Sequence, residues 1–256
     1  MTLVVLDPDG RYAADCPAAL ADAGQDLWLV TGAAGPRPGF AQVTVVERYE
    51  HGAAVELAVL DAAARTEVRA LIALDPVDQV RAAGLREHLG LPGQRPAAAQ
   101  ALADPITAGE LLAAAGIATT PREEVRRIAD LYLWAHRWGY PLTVRRRLAA
   151  GHPVLVELAD EAALRAAVAG GLLPYDPAQV AALTVEPPPA GPVEVADGEP
   201  LAGVLPADPG HPYTVETVRA PDGGRPVHAV HYRPAARPVR ELLRAQAGLD
   251  LLEVSR

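Results

Sequence analysis

Lysine and asparagine are both absent from the 256 residues, and serine occurs only at Ser255. All 23 basic residues are therefore arginine. These gaps exclude a Walker-type lysine, a Schiff-base lysine, an asparagine metal ligand and an embedded serine nucleophile. Cys16 is the single cysteine, which excludes an intramolecular disulfide and a thiolate metal cluster; its plain reading is a small residue on a helix. No apolar run approaches the roughly 18 residues of a membrane helix. The opening Met1-Thr2-Leu3-Val4-Val5-Leu6 meets Asp7 before any signal-peptide pattern develops. The expectation is a cytoplasmic protein with no membrane partner. The formal charge of −9 repels a phosphate backbone, so nucleic acid is not an expected partner either. What remains is a chain that is 50% hydrophobic and 21% charged, ordinary for a globular fold of one large or two small domains.

Strand and helix signals alternate through the first part of the chain. Strands are predicted at Thr2–Leu6, Asp26–Thr31, Gln42–Glu47 and Arg69–Leu74, with helices at Ala14–Ala23 and Val55–Arg65. In the second helix Leu57, Leu60 and Ala64 form the expected apolar stripe. Such alternation argues a parallel sheet with helices on its faces. Thr31-Gly32-Ala33-Ala34-Gly35-Pro36 lacks the three-glycine dinucleotide spacing, and Pro36 stands where a helix would open, so it reads as a plain glycine loop. Helices then follow over Pro76–Leu89, Ala97–Ala103, Thr107–Ala115 and Ile128–Trp138. In the last of these Ile128, Leu131, Trp134, Ala135 and Trp138 recur at helical spacing, which makes the tryptophans core residues. Strands at Leu142–Arg146 and Pro153–Leu158 precede a helix at Glu161–Ala169. Residues 187–212 are dense in proline and read as irregular chain. A hairpin is predicted from Tyr213–Arg219 and Pro226–Tyr232 around Asp222-Gly223-Gly224, and a last helix from Pro238 to Ala247.

A family resemblance emerges from the order of these segments. Arg81 to Gln94, with its Leu89-Gly90-Leu91-Pro92-Gly93, resembles the passage into ATP-grasp carboxylate–amine ligases, the amino-acid ligase branch above all. Ala103-Asp104-Pro105, then Ala115-Gly116-Ile117 and Pro121, is similar to the family's Asp-Lys helix and Ala-Gly-Ile-x-x-Pro turn. Gly139-Tyr140-Pro141-Leu142-Thr143-Val144-Arg145 resembles the strand written Gly-Tyr-Pro-Val-Val-x-Lys. Leu183-Thr184-Val185-Glu186, with Gly191 and Glu194, resembles the adenine hinge, and Tyr213–Val218 the strand after it. The resemblance implies an α/β protein: a pre-ATP-grasp-like parallel-sheet domain over residues 1–95, then an incomplete α+β ATP-grasp-like region over 96–256. The second region would hold a helical linker, a small α+β subdomain and a truncated C-terminal part.

It also implies a nucleotide site, from which the chain departs. The two lysines that would neutralise phosphate oxygens are Pro105 and Arg145, and the flap Leu148-Ala149-Ala150-Gly151-His152-Pro153 keeps one glycine. The nucleotide-site residues implied are Arg145, Arg147, Gly151, Glu186 and Glu194, with no catalytic residue and no metal ligand. ATP would be bound weakly, and magnesium would not bind without a partner chain. The expected activity is binding, to nucleotide or to a complete ligase, rather than independent ligation. An active ligase with an acylphosphate intermediate and a Rossmann-like binding module are the alternatives.

Each candidate also has a plain reading. Arg145, Arg146 and Arg147 bind a triphosphate or line a solvated edge strand, alternation sending Arg146 to the face opposite the other two. Glu186 orients an adenine or is an exposed loop carboxylate. His228 and His231, three apart on a strand, fall on opposite faces. His152 and His211 read as polar loop residues. Glu123-Glu124 and Asp160-Glu161 read as acidic helix starts, favoured by the macrodipole. An exposed sheet edge and the apolar tail (Leu242, Leu243, Leu249, Leu251, Leu252, Val254) make a homodimer or a complex with a full-length ligase the expected association, with folding back of the tail as the alternative.

Overall fold

Leu3, Val5, Leu27, Leu29 and Ile72 point to one face of a four-stranded parallel sheet, and Val4, Leu6, Trp28, Val30 and Leu71 to the other, as a period of two requires when both faces are covered. The strands are β1 (Thr2–Leu6), β2 (Asp26–Thr31), β3 (Gln42–Val45) and β4 (Val68–Ala73), in the order β3-β2-β1-β4. These coordinates are a computed structural model that describes residues 1–173, 182–197, 201, 203–205 and 208–249. The described residues divide into two units, one drawn from the ranges 1–100, 206–213 and 232–256, the other from 101–205 and 214–231.

In the first unit α2 (Ala54–Arg65) and α3 (Gln79–His88) cover one face of the parallel sheet. The buried stripe of α2 is Val55, Val59 and Ala62, whereas Leu57 is 63% exposed. The stripe expected from Leu57, Leu60 and Ala64 is therefore corrected: it has helical spacing, but the alternative stripe contains the β-branched residues that pack on the sheet. Short α1 (Cys16–Ala19) and α8 (Val239–Gln246) cover the opposite face, where Leu242 and Leu243 are fully buried against Leu3, Leu29 and Ile72. Leu249 is partly buried against the same core, while Leu251, Leu252 and Val254 lie outside the described residues. The last helix thus closes the first sheet of its own chain.

Gln246 fastens that helix to the sheet edge. Its Oε1 accepts from the Ala73 N–H at 2.8 Å and its Nε2 donates to the Ala73 carbonyl at 3.1 Å, so one side-chain amide takes the place of a neighbouring strand beside β4. Buried Arg86 donates to the same Oε1 at 3.1 Å and to the Leu71 carbonyl at 2.8 Å.

Helix α4 (Pro96–Ala103) leads on from the first unit. The second unit contains α5 (Pro105–Ala114) and an antiparallel sheet of β5 (Glu123–Val125), β6 (Leu142–Arg146), β7 (Val154–Leu158) and β8 (Leu183–Glu186), ordered β5-β8-β6-β7. Helices α6 (Ile128–Trp138) and α7 (Glu161–Ala169) pack on one face of it through Leu131, Ala135 and Leu164. Trp134 and Trp138 stack on each other with ring centroids 4.7 Å apart and pack against this core. A second sheet has the order β11-β10-β9, made of β9 (Val193–Asp197), β10 (Tyr213–Val218) and β11 (Val227–Tyr232). β9 lies inside the proline-dense stretch read as irregular. Its alternating Val193-Glu194-Val195 pairs with β10 between the prolines, which bound the strand and leave its interior intact. Glu123 and Glu124 belong to β5, not to a helix start, because Arg126 and Arg127 follow and α6 begins only at Ile128. Asp160 does begin a helix, its side chain accepting from the Ala163 N–H at 2.8 Å.

Candidate functional site

Pairing register decides what the helix-free face of the antiparallel sheet carries. Leu142 and Val144 of β6, Leu183 and Val185 of β8 and Val125 of β5 enter the core. The intervening residues, Thr143, Arg145, Thr184, Glu186 and Glu124, are therefore left to the other face. Thr143 lies opposite Glu186 and Arg145 opposite Thr184, which makes Arg145 and Glu186 diagonal neighbours. Strand β6 sits between β8 and β7, so the edge-strand reading of the arginines is corrected.

Glu186 is 3% exposed, not an exposed loop carboxylate: the run Leu-Thr-Val-Glu continues the ladder to its last residue. Arg145 donates from Nε to its Oε1 at 2.6 Å, and Arg122 donates from Nε to its Oε2 at 2.6 Å. Burial opposes ionisation of this carboxyl, but Arg122 and Arg145 together hold it below the usual glutamate range. Arg147 makes a bidentate pair with Asp104, Nε to Oδ1 at 2.8 Å and Nη2 to Oδ2 at 2.6 Å, and also donates to Glu124. Asp104 is the N-cap of α5, accepting from the Ile106 N–H at 3.1 Å, and Pro105 is the first residue of that helix. A proline there suits the helix start, where no intrahelical acceptor exists for its missing N–H.

His152, in the loop between β6 and β7, is buried rather than a solvated loop residue. Its Nδ1 donates to the Arg147 carbonyl at 2.8 Å, and its own carbonyl accepts from Arg145 Nη1 at 3.3 Å. Its ring lies 5.8 Å from that of His231 on β11. His231 Nε2 is 3.7 Å from Glu216 on β10, and the imidazole holds that carboxyl below its ordinary range. His228 pairs through Nδ1 with the Thr120 hydroxyl at 3.0 Å, and burial lowers its pKa. Segment 118–120 runs beside β11, with the Val227 N–H donating to the Ala118 carbonyl at 2.8 Å. A cavity of about 230 Å³ lies between α5 and β11, with Leu112, Thr119, Arg122 and His228 among its walls.

The structure thus pairs Arg145 with Glu186, and places Arg147 in a separate ion-paired set with Asp104 and Glu124. Gly151 stands in the adjoining loop with φ +71°, a left-handed turn that favours glycine. Glu194 is elsewhere, on β9, paired with Arg219 at 2.5 Å and Arg225 at 2.7 Å. Sequence reasoning missed Arg122 and Thr120, whose spacing carries no signal before the strands pair; it took Asp104 only as part of a motif and read Glu124 as a helix start. It treated His152 as isolated because its partners are backbone carbonyls and a ring nearly 80 positions away. His211 is also buried, in the first unit, with Nδ1 3.1 Å from Asp208 Oδ2. Among the described residues no group of His, Cys, Asp and Glu is placed to hold a metal ion.

No protein-family model and no curated protein matches the chain. Solved structures do. The L-amino acid ligase from Bacillus licheniformis superposes with TM-score 0.65 at 15% identity, over 91% of this chain and 66% of that one. N5-carboxyaminoimidazole synthetase from Staphylococcus aureus complexed with ADP gives 0.64 at 12%, over 96% and 77%. A RimK domain protein ATP-grasp from Sphaerobacter thermophilus gives 0.63 at 16%, over 97% and 99%. Similarity at these identities shows the fold, which is ATP-grasp-like along nearly the whole chain rather than only in its parallel-sheet part.

Proposed function

We propose that this ATP-grasp-like chain acts by binding rather than by catalysing ligation alone, and that it holds ATP weakly. The observation that carries the reading is that both arginines at the expected positions are already ion-paired within the chain. Where the resemblance expects phosphate ligands, Pro105 has no charge, Arg145 is spent on Glu186, and Arg147 is spent on Asp104 and Glu124. A triphosphate would have to draw Arg145 from a carboxylate with which it is already in good geometry. Such a move exchanges one charge-assisted contact of Arg145 for another, each worth about 1.5–3 kcal/mol, so it returns little net gain. The residues present therefore fit a nucleotide triphosphate and its magnesium poorly, although the Staphylococcus aureus relative is described with ADP.

The binding role extends to a protein partner, a complete ligase or a second copy of the chain. It is supported by two of the edge strands among the described residues, β7 and β9, which expose Val154, Leu155, Val193 and Val195.

Calorimetric titration with ATP and magnesium tests the reading. The expected result is no micromolar affinity, together with no phosphate release above a buffer control when amino acids are added. Micromolar binding that disappears in Arg145→Ala, or turnover that does so, would replace it with the active-ligase reading.

A further inference from the structure

The loop joining β6 to β7 is fastened at both ends and in its middle. Arg147 anchors its start to Asp104 at the head of α5. Across the turn the His152 N–H donates to the Ala149 carbonyl at 2.9 Å. His152 then turns inward with φ +45°, a left-handed conformation uncommon for a residue with a side chain. That turn buries its ring near His231 and places its carbonyl on Arg145, the guanidinium paired with Glu186. The inward histidine stands in a loop whose outer residues, Leu148, Ala150 and Gly151, are exposed.

We propose that residues 147–153 form a self-inhibitory strap, latched by His152 against His231, which withholds Arg145 from anionic ligands until the latch opens. This rests on the weak-binding reading above and supplies a cause for part of it. A side chain held in a sparsely populated backbone region persists because its surroundings over-determine it. Here those surroundings are the Arg147 carbonyl, Arg145 and the His231 ring. The apparent affinity of a site that is open only part of the time falls by the open fraction. Hence the closing constant of the strap must equal the factor by which anion affinity is masked.

The latch has a defined pH sense. Burial, and after it His231, depresses the His152 pKa below 6.5, while Asp104 opposes and Arg122 adds to the depression; Glu216 faces His231 from β10. A group depressed in the closed state favours closing above its open-state pKa. Closing therefore weakens as the pH falls from the open-state value toward the depressed one. Loop protection, corrected for intrinsic exchange, is expected to decrease between about pH 7.5 and about pH 5.5. An unchanged or rising protection would contradict the latch.

The deciding experiment pairs hydrogen exchange with titration of inorganic tripolyphosphate, on the full chain. Asparagine tolerates the left-handed conformation, so His152→Asn removes the ring contacts with little change in backbone preference, and His231→Ala removes the latch from the other side. In the wild type the His152 amide, which donates to the Ala149 carbonyl, is expected to exchange ~10-fold or more slower than in a free loop, and the amide of residue 152 to lose that protection in both variants. Tripolyphosphate affinity is expected to rise in His152→Asn by the same factor, and the gain to vanish when Arg145→Ala is added. A wild-type loop that exchanges freely, variants that keep their protection, or protection lost without a gain in anion affinity would each overturn the strap. Micromolar ATP binding by a wild type whose loop stays protected would instead overturn the weak-binding reading.

Discussion

Replacing Glu186 by glutamine is expected to destabilise the second unit by about 3–5 kcal/mol, because Arg122 and Arg145 would keep their charge in a partly dry setting with no counter-ion. Arg122 is 12% exposed and Arg145 30%, so the former carries most of the penalty. Denaturant unfolding followed by circular dichroism measures the loss. The triple variant Glu186→Leu, Arg122→Met, Arg145→Met should lose much less than Glu186→Gln, since no charge is left alone in it. Equal losses would mean that packing, not charge, is what Glu186 supplies. The same pair predicts an acid limb. Glu186 and Asp104 are both depressed by their arginines in the folded state. Their contribution is complete above the unfolded values of 4.5 and 3.8 and is lost as the pH falls through the lower folded values. Stability of this unit should therefore decline below about pH 5, and decline less steeply in the triple variant.

Gln246→Ala is expected to loosen the first unit by on the order of 3 kcal/mol, since it strips the partner from the Ala73 N–H and from the Gly210 carbonyl, and each buried polar group left unpaired costs about 1–3 kcal/mol, whereas the Ala73 carbonyl keeps Gln79 and Arg86 keeps the Leu71 carbonyl. Water recovers some of this only if α8 moves away from the sheet. Cys16 reports that movement. It is buried in the core that α8 covers, and burial pushes its thiol up to about 12. Labelling by a thiol reagent should be slow in the wild type and accelerate ~100-fold in Gln246→Ala, the kinetic equivalent of about 3 kcal/mol of easier local opening. Unchanged labelling would show that Leu242 and Leu243 hold the helix without the amide.

Both of these sites depend on contacts between residues far apart in the chain; Arg145 and Glu186 were singled out beforehand as nucleotide-site residues, but their mutual pairing and the contacts of Gln246 were not legible. Local signals did specify several elements. Asp26–Thr31, Ile128–Trp138, Leu142–Arg146 and Glu161–Ala169 form over the expected residues, because alternation, helical spacing and an aspartate cap are properties of consecutive residues. The order of short motifs was sufficient for the ATP-grasp-like fold, since motif order survives substitution of individual ligands. Yet α2 presents Val55, Val59 and Ala62 rather than Leu57, as the neighbouring layer chooses between two stripes of similar spacing. Glu186 became a buried ion-pair partner only through its diagonal register with Arg145 and the arrival of Arg122 from the segment before β5.

By itself, then, the sequence determined most of the strands and helices, though not β5 or β9, that there is no lysine to meet a phosphate, and that Arg145 stands where one would be expected. Only the tertiary structure decided that Arg145 is already ion-paired, that His152 turns inward, and that helix α8 returns to the first sheet. The physical reason is range. Backbone preference and amphipathic period act over a few residues, whereas a buried charge finds its partner, and a strand edge its cover, only after segments 40 to 170 positions apart have packed together.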